Sequence, residues 1–376
     1  MSKPIQINKK IPSFNKKINI DGDKSLSIRW ALLASQASGK SKAYKILKSE
    51  DVLSTLNCLK KLGVKIKLKK EYCEIIGRGL NGYNYKNNIS LNIGNSGTLA
   101  RLILGLLVHS KKKIKLIGDK SASKRDFSRV IHPLKKFGAK FYANKKSTLP
   151  LSIIGSESAK PINYFEFRGS AQCKSSVMLA ALNTPGETTI KAKKSRNHTE
   201  LLYKYLKVPI KIKKTKKFDF IKINGVKKIS PLQYSVPADI SSSAFFIVLT
   251  ALSENSTLII KNVNINPSRI GIIKILKRMG VNISFKNLKK YKGENVAHIV
   301  IKSSKKINAI DCPSSLNSSA IDEFLIIFLV AAKANGISFF KDLSELNQKE
   351  SPRLKWGSKI LNMMGIKTEL TNHSIR

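Results

Sequence analysis

The sequence predicts an α/β protein of two domains, assembled from copies of one repeated α/β unit, and three observations carry that prediction. Five times a short polar cluster opens directly into an apolar run of helical length. After each such helix come a polar turn, short β-like runs and, in most copies, a second helix that closes on a glycine followed by strand-like residues. The copies recur every ~70 to 85 residues, a period that suits one compact α/β unit better than a solenoid repeat.

The elements follow in order. The first copy opens at Gly22-Asp23-Lys24-Ser25-Leu26-Ser27-Ile28-Arg29 and closes at Leu59-Lys60-Lys61-Leu62-Gly63-Val64. The second opens at Gly94-Asn95-Ser96-Gly97-Thr98-Leu99-Ala100-Arg101 and closes at Leu134-Lys135-Lys136-Phe137-Gly138-Ala139. The third opens at Gly169-Ser170-Ala171-Gln172-Cys173-Lys174-Ser175; its stop, Tyr205-Leu206-Lys207-Val208-Pro209-Ile210, has a proline in place of the glycine. The fourth opens at Asp239-Ile240-Ser241-Ser242-Ser243 and closes at Leu276-Lys277-Arg278-Met279-Gly280-Val281. The fifth opens at Ile321-Asp322-Glu323 and closes at Leu361-Asn362-Met363-Met364-Gly365-Ile366. Three units thus run from about Asp21 to Gln233 and two more from about Val236 to the end. The expected domains are 1–20 plus 236–376, discontinuous, and 21–235 with three repeated units. If both halves share a plan, the first of these is one unit short, even with an N-terminal strand at Pro4 to Ile7 lent to it, so the last unit is expected to be missing.

A Ser-, Gly- or Thr-rich start to a buried helix presents unpaired N–H groups and the positive end of the helix dipole, where phosphates and carboxylates bind. Arginine usage agrees. Only eleven of the 70 basic residues are arginines, yet Arg29, Arg101, Arg125, Arg196 and Arg353 lie inside or beside polar clusters. Their planar forks grip carboxylates and phosphates bidentately, as lysine cannot. The same Ser, Thr and Asp residues also suit helix caps, and the two roles coexist.

Composition limits the alternatives. A length of 376 residues with 42% apolar content supports substantial cores. The longest apolar run, Phe324 to Ala332, is about half of what a bilayer-spanning helix needs. Met1 to Ile11 has no apolar core or cleavage site, so a cytoplasmic location is expected. Cys58, Cys73, Cys173 and Cys312 have no paired short spacing, and neither a zinc site nor a disulfide framework is suggested. A formal charge of +47 raises the question of nucleic-acid binding, but the lysines are spread over every segment and alternate with apolar residues, as in Val64-Lys65-Ile66-Lys67-Leu68. A solvated lysine surface that attracts small anions is the expectation, with no nucleic-acid or membrane partner.

The ordered set of clusters resembles the 5-enolpyruvylshikimate-3-phosphate synthase family. It comprises Asp23 to Arg29, Gly94 to Thr98 with Arg101, Gly118-Asp119-Lys120-Ser121-Ala122-Ser123-Lys124-Arg125, Ser170 to Ser175, Ser195-Arg196-Asn197-His198-Thr199-Glu200, Asp239 to Ser243, Asp322-Glu323 and Lys349-Glu350-Ser351-Pro352-Arg353. The resemblance implies a two-domain inverse α/β barrel with substrates in the cleft between the domains. It implies a 3-phosphoshikimate 1-carboxyvinyltransferase, which moves the enolpyruvyl group of phosphoenolpyruvate to the 5-hydroxyl of shikimate 3-phosphate and releases phosphate. A monomer without metal or organic cofactor is the family expectation.

Residue by residue, the resemblance gives Lys24 and Arg125 to phosphoenolpyruvate and counts Lys24 among the catalytic residues, with backbone N–H groups of the Asn95 to Thr98 turn and close approach at Gly97. It gives Ser25 and Arg29 to the shikimate carboxylate, and Ser170 and Ala171 to the shikimate phosphate. Gln172 would lie against the ring, Arg196 would add a phosphate ligand, and Lys349 and Arg353 would complete the charge clamp. Asp322 and Glu350 match the two carboxylates of proton transfer, Glu350 at the methylene carbon and Asp322 at the hydroxyl, although the residues alone leave the acid and base assignment open, and Asp322 without the family context reads as a helix N-cap or first-turn acid. The chain departs from the family pattern at Asp126, Asn197, Asn347 and Pro352, and the later Asp-His-Arg motif has no counterpart. The related UDP-N-acetylglucosamine enolpyruvyl transferases use a loop cysteine, and Asp119 to Phe127 contains none. An inactive anion-binding homologue is the other alternative.

Overall fold

A computed structural model describes residue 6 and residues 9–376. The opening helix of each of the first three copies begins at its polar cluster, and the cluster supplies the cap. Asp23 accepts from the Leu26 N–H at 2.8 Å ahead of helix Lys24–Gln36. Ser96 accepts from Leu99 at 3.2 Å ahead of Gly97–Leu106, and Ser170 from Cys173 at 3.2 Å ahead of Ala171–Ala181. Each bond satisfies a donor that the first helical turn leaves unmatched. The fourth and fifth clusters lead into helices Ile240–Leu252 and Phe324–Ala332.

The second helices stop where their glycines stand. Gly63, Gly138, Gly280 and Gly365 adopt φ of 83°, 105°, 90° and 79°, the left-handed conformation that closes a helix without a Cβ clash. In the copy with proline, Lys207 takes that conformation at φ 57°, and Pro209 follows it.

Each of the first four copies builds the same four-stranded sheet. In the second, strand Ile89–Asn92 runs parallel to Ile114–Ile117, which pairs antiparallel with Leu151–Ile154, which pairs antiparallel with Lys140–Tyr142. The third repeats this order with Asn163–Glu166, Glu187–Lys193, Phe218–Asn224 and Ile210–Lys214. In the first copy the parallel edge strand comes from far along the chain: Gln233–Ser235 pairs with Ser38–Tyr44, ahead of Tyr72–Arg78 and Lys65–Leu68. The fourth copy borrows in the opposite direction, with Asn15–Ile18 beside Thr257–Asn264, then Glu294–Lys302 and Asn282–Tyr291. The strand expected at Pro4 to Ile7 lies outside the described residues except for Gln6, and the lent strand is Asn15–Ile18. In the fifth copy Asp311–Cys312 pairs parallel with Phe339–Phe340, and single bridges Phe340 to Ile375 and Ile375 to Leu370 complete the order.

The chain divides into two compact units. One holds three copies, residues 21–239 with 290–295; the other holds the remaining residues, with two copies. Residues 236–239 stay with the three-copy unit because they zip along its first residues: the Val236 N–H donates to Tyr44 O at 3.0 Å, Asp23 N–H to Pro237 O at 2.8 Å and Asp239 N–H to Asp21 O at 3.1 Å. Residues 290–295 belong there through Tyr291, whose ring lies 5.5 Å from that of Tyr234, and through Glu294, which bonds His198 Nδ1 at 2.7 Å.

Within the three-copy unit the helices Lys24–Gln36, Gly97–Leu106 and Ala171–Ala181 are buried along most of their length. Strand Glu187–Lys193 turns Thr188, Ile190 and Ala192 inward and its lysines outward, the period of two that a half-buried strand requires. Helix Lys24–Gln36 is buried on all sides from Leu26 onward. Gly105 permits the central contact: a Cβ there would meet Ser176 O at 2.2 Å, so the helices Gly97–Leu106 and Ala171–Ala181 pack in direct backbone contact.

Candidate active site

In the three-copy unit the starts of the three capped helices come together, and polar side chains join them. Arg29 is 4% exposed. Its Nε donates to Thr199 Oγ1 at 2.9 Å, its Nη2 to Ser175 Oγ at 3.1 Å, and its Nη1 to the Ser25 carbonyl at 3.1 Å. Thr199 Oγ1 in turn donates to Ser175 Oγ at 2.8 Å. Helix Ala171–Ala181 therefore meets helix Lys24–Gln36 through Ser175 and helix Gly97–Leu106 through Gln172. Arg101 Nη1 donates to Gln172 Oε1 at 2.9 Å, and Gln172 Nε2 donates to Thr98 Oγ1 at 3.0 Å.

Gly97 lies at the focus of the second group. A Cβ there would fall 2.5 Å from Arg125 Nη1 and 2.9 Å from Arg101 Nη1, so two guanidinium groups reach the first turn only because the side chain is absent. Arg125 Nη2 also donates to Asn95 Oδ1. Burial, reinforced by the neighbouring Arg125 and Arg129 charges, lowers the pKa of Arg101. Cations crowded at a helix start make a site poised for an anion.

The remaining predicted residues are placed as follows. Lys24 is exposed, and its Nζ lies 3.0 Å from Asp51 Oδ2, while its backbone N–H donates to Asp239 Oδ2 at 2.9 Å. Ser170 caps its helix, Ala171 is the first helical residue, and the loop before them is held by Glu166, which accepts from Ser170 N–H at 2.8 Å and Arg168 N–H at 3.3 Å. Burial raises the Glu166 pKa, against the pull of those N–H groups and of Lys174. Arg196 stands half-buried in the loop ahead of helix His198–Tyr205.

The two-copy unit gathers the second group of predicted residues. Asp322 Oδ1 accepts from Lys349 Nζ at 3.4 Å and Arg353 Nη1 at 3.2 Å. Arg353 also donates to Glu350 Oε1 from Nε at 3.1 Å and from Nη2 at 2.6 Å. Burial works against the Arg353 charge, yet its bonds to Glu350 and Asp322 prevail and raise its pKa. The N-cap reading of Asp322 does not hold: Glu323 occupies the cap position, without a side-chain cap bond. Asp322 is turned instead toward the cations.

Several of the contacts have no signature in the sequence. Asp51 and Thr199 join the site only through contacts between distant segments, and the bond from Arg101 to Gln172 spans two of the repeated units. In the two-copy unit Arg269, 2% exposed, donates from Nη2 to Ser241 Oγ at 2.7 Å, and Ser241 donates to Glu323 Oε1. The sparing use of arginine is the one signal that could have singled out Arg269. The cysteines are free and buried, and no group of three or more His, Cys, Asp or Glu side chains able to hold a metal ion occurs among the described residues.

The sequence model of the EPSP synthase (3-phosphoshikimate 1-carboxyvinyltransferase) family matches residues 8–376. The 3-phosphoshikimate 1-carboxyvinyltransferase of Ruthia magnifica subsp. Calyptogena magnifica is 41% identical over 360 residues, 96% of this chain and 81% of that protein. The protein of the same name from Petrotoga mobilis is 38% identical, over 94% of this chain and 82% of that one. An EPSP synthase structure from Acinetobacter baumannii superposes with a TM-score of 0.84 at 35% identity, covering 97% of this chain and 82% of that one. The expectation of a missing last unit gains no support from these matches. Ordered motifs, repeated sheet topology and family match together identify the chain as a member of the EPSP synthase family.

Proposed function

We propose that this chain transfers the enolpyruvyl group of phosphoenolpyruvate to the 5-hydroxyl of shikimate 3-phosphate and releases inorganic phosphate. The observation that carries the proposal is the convergence of Arg29, Arg101 and Arg125 on the starts of three buried helices, a constellation matched to substrates that each bear a phosphate and a carboxylate.

In this reading Lys24, Arg125 and the Asn95 to Gly97 turn bind phosphoenolpyruvate, and Lys349 and Arg353 complete its charge clamp. Ser25 and Arg29 hold the shikimate carboxylate. Ser170, Ala171 and Arg196 bind the shikimate phosphate, and Gln172 lies against the ring. Asp322 removes the proton from the 5-hydroxyl as its oxygen bonds to the central carbon of phosphoenolpyruvate, while Glu350 delivers a proton to the methylene carbon. The tetrahedral ketal then loses phosphate by cleavage of its carbon–oxygen bond, with the proton held by Asp322 passing to the departing phosphate, and Glu350 takes back a methyl proton as the double bond re-forms. Lys349 and Arg353 hold the Asp322 carboxylate in place at 3.4 and 3.2 Å. No helix among the described residues is long and apolar enough to cross a membrane; a cytoplasmic monomer completes the proposal.

Phosphorus NMR of the chain with both substrates tests this reading. Phosphoenolpyruvate must disappear with equal gains of inorganic phosphate and one new phosphate ester, and only when shikimate 3-phosphate is present. Consumption of phosphoenolpyruvate alone, or no conversion by folded protein, refutes it.

A further inference from the structure

We infer that Thr199 and Ser175 are positioning residues that set the plane of the Arg29 guanidinium for carboxylate recognition. The inference rests on the reading of Arg29 as the ligand of the shikimate carboxylate. Three of its donors are directed by three separate acceptors: Nε by Thr199 Oγ1 at 2.9 Å, Nη2 by Ser175 Oγ at 3.1 Å and Nη1 by Ser25 O at 3.1 Å. Nε and Nη2 form one edge of the guanidinium, and the two hydroxyls that receive them are themselves joined at 2.8 Å. That edge is therefore held by a preassembled pair rather than by two independent side chains. A guanidinium recognises a carboxylate through the direction of its planar fork, so fixing the plane fixes the recognition geometry.

The pair is rigid for a visible reason. Ser175 and Thr199 are each 1% exposed, and their chain neighbours form an ion pair of the same two helices: Lys174 Nζ lies 2.6 Å from Glu200 Oε1, with the side chains 0% and 3% exposed. Residues 174–175 of one helix are thus stapled to residues 199–200 of the other, with the charged contact on one side and the hydroxyl contact on the other. Truncating the Thr199 hydroxyl leaves Nε buried without its acceptor and releases the plane, while the positive charge of Arg29 stays.

The test compares wild type, Thr199→Val, Thr199→Ser, Ser175→Ala and Arg29→Lys. For each, the affinity for shikimate 3-phosphate is divided by that for its analogue with the carboxylate reduced to a hydroxymethyl group. This ratio does not depend on how much of a preparation is folded, so a destabilised variant still gives an answer. Thr199→Val is expected to lower the ratio about tenfold, Ser175→Ala to lower it in the same direction, and Thr199→Ser to restore it. The KM for phosphoenolpyruvate stays within about twofold of wild type. A wild-type ratio in both Thr199→Val and Ser175→Ala, with a fall in Arg29→Lys, overturns the positioning role alone. A ratio unchanged even in Arg29→Lys overturns the carboxylate assignment on which it rests.

Discussion

A single guanidinium holds both acidic side chains assigned to proton transfer: Arg353 Nη1 lies 3.2 Å from Asp322 Oδ1, and its Nη2 lies 2.6 Å from Glu350 Oε1. A planar fork spans two carboxylates in a way that a point charge does not. Arg353→Lys is therefore expected to lower kcat/KM for phosphoenolpyruvate by about 10²-fold while leaving the fold intact, as steady-state rates and a thermal melt will show.

Gly97 is small because two arginines need its space. A Cβ 2.5 Å from Arg125 Nη1 meets the far end of a flexible side chain, which can move, rather than backbone. Gly97→Ala should fold normally and raise the KM for phosphoenolpyruvate about tenfold, with a smaller change in the KM for shikimate 3-phosphate. Equal changes in both constants contradict the assignment of this turn to phosphoenolpyruvate.

Gly105 faces backbone instead, with Ser176 O 2.2 Å from the position a Cβ would take, and helices cannot yield as a side chain does. Gly105→Ala is expected to destabilise the protein by about 1–3 kcal/mol, measured by denaturant unfolding. A neutral result would mean that the two helices have room to separate.

His109 gives the stability a pH dependence. Burial lowers its pKa from 6.5, against the bond its Nε2 makes with Ala180 O at 3.1 Å. A depressed histidine stabilises fully above its unfolded value and loses that contribution as pH falls through the folded value. Below pH 6.5 the thermal midpoint of wild type should fall faster than that of His109→Gln. Parallel curves would remove His109 as the cause.

What was legible in the sequence is what local chemistry dictates. Asp23, Ser96 and Ser170 announce helix starts, and Gly63, Gly138, Gly280 and Gly365 announce stops, because caps and left-handed turns are decided within a few residues. The strand exchange was half legible: a borrowed N-terminal strand was expected at Pro4 to Ile7, whereas the pairing strand is Asn15–Ile18. The return loan of Gln233–Ser235 to the first sheet was not foreseen, since a three-residue edge strand carries no periodicity. Contacts between distant segments stayed hidden for the same reason. Arg29 and Thr199 are 170 residues apart and Arg269 and Ser241 are 28 apart, and nothing in either local pattern names the partner.

The most direct test of the central claim is the rate of phosphate release by the purified chain given phosphoenolpyruvate and shikimate 3-phosphate, set beside Asp322→Asn. The account predicts release that requires both substrates and falls by about 10²- to 10⁴-fold in the variant, with shikimate 3-phosphate still bound. Release that proceeds without shikimate 3-phosphate, or at the same rate in Asp322→Asn, would contradict it.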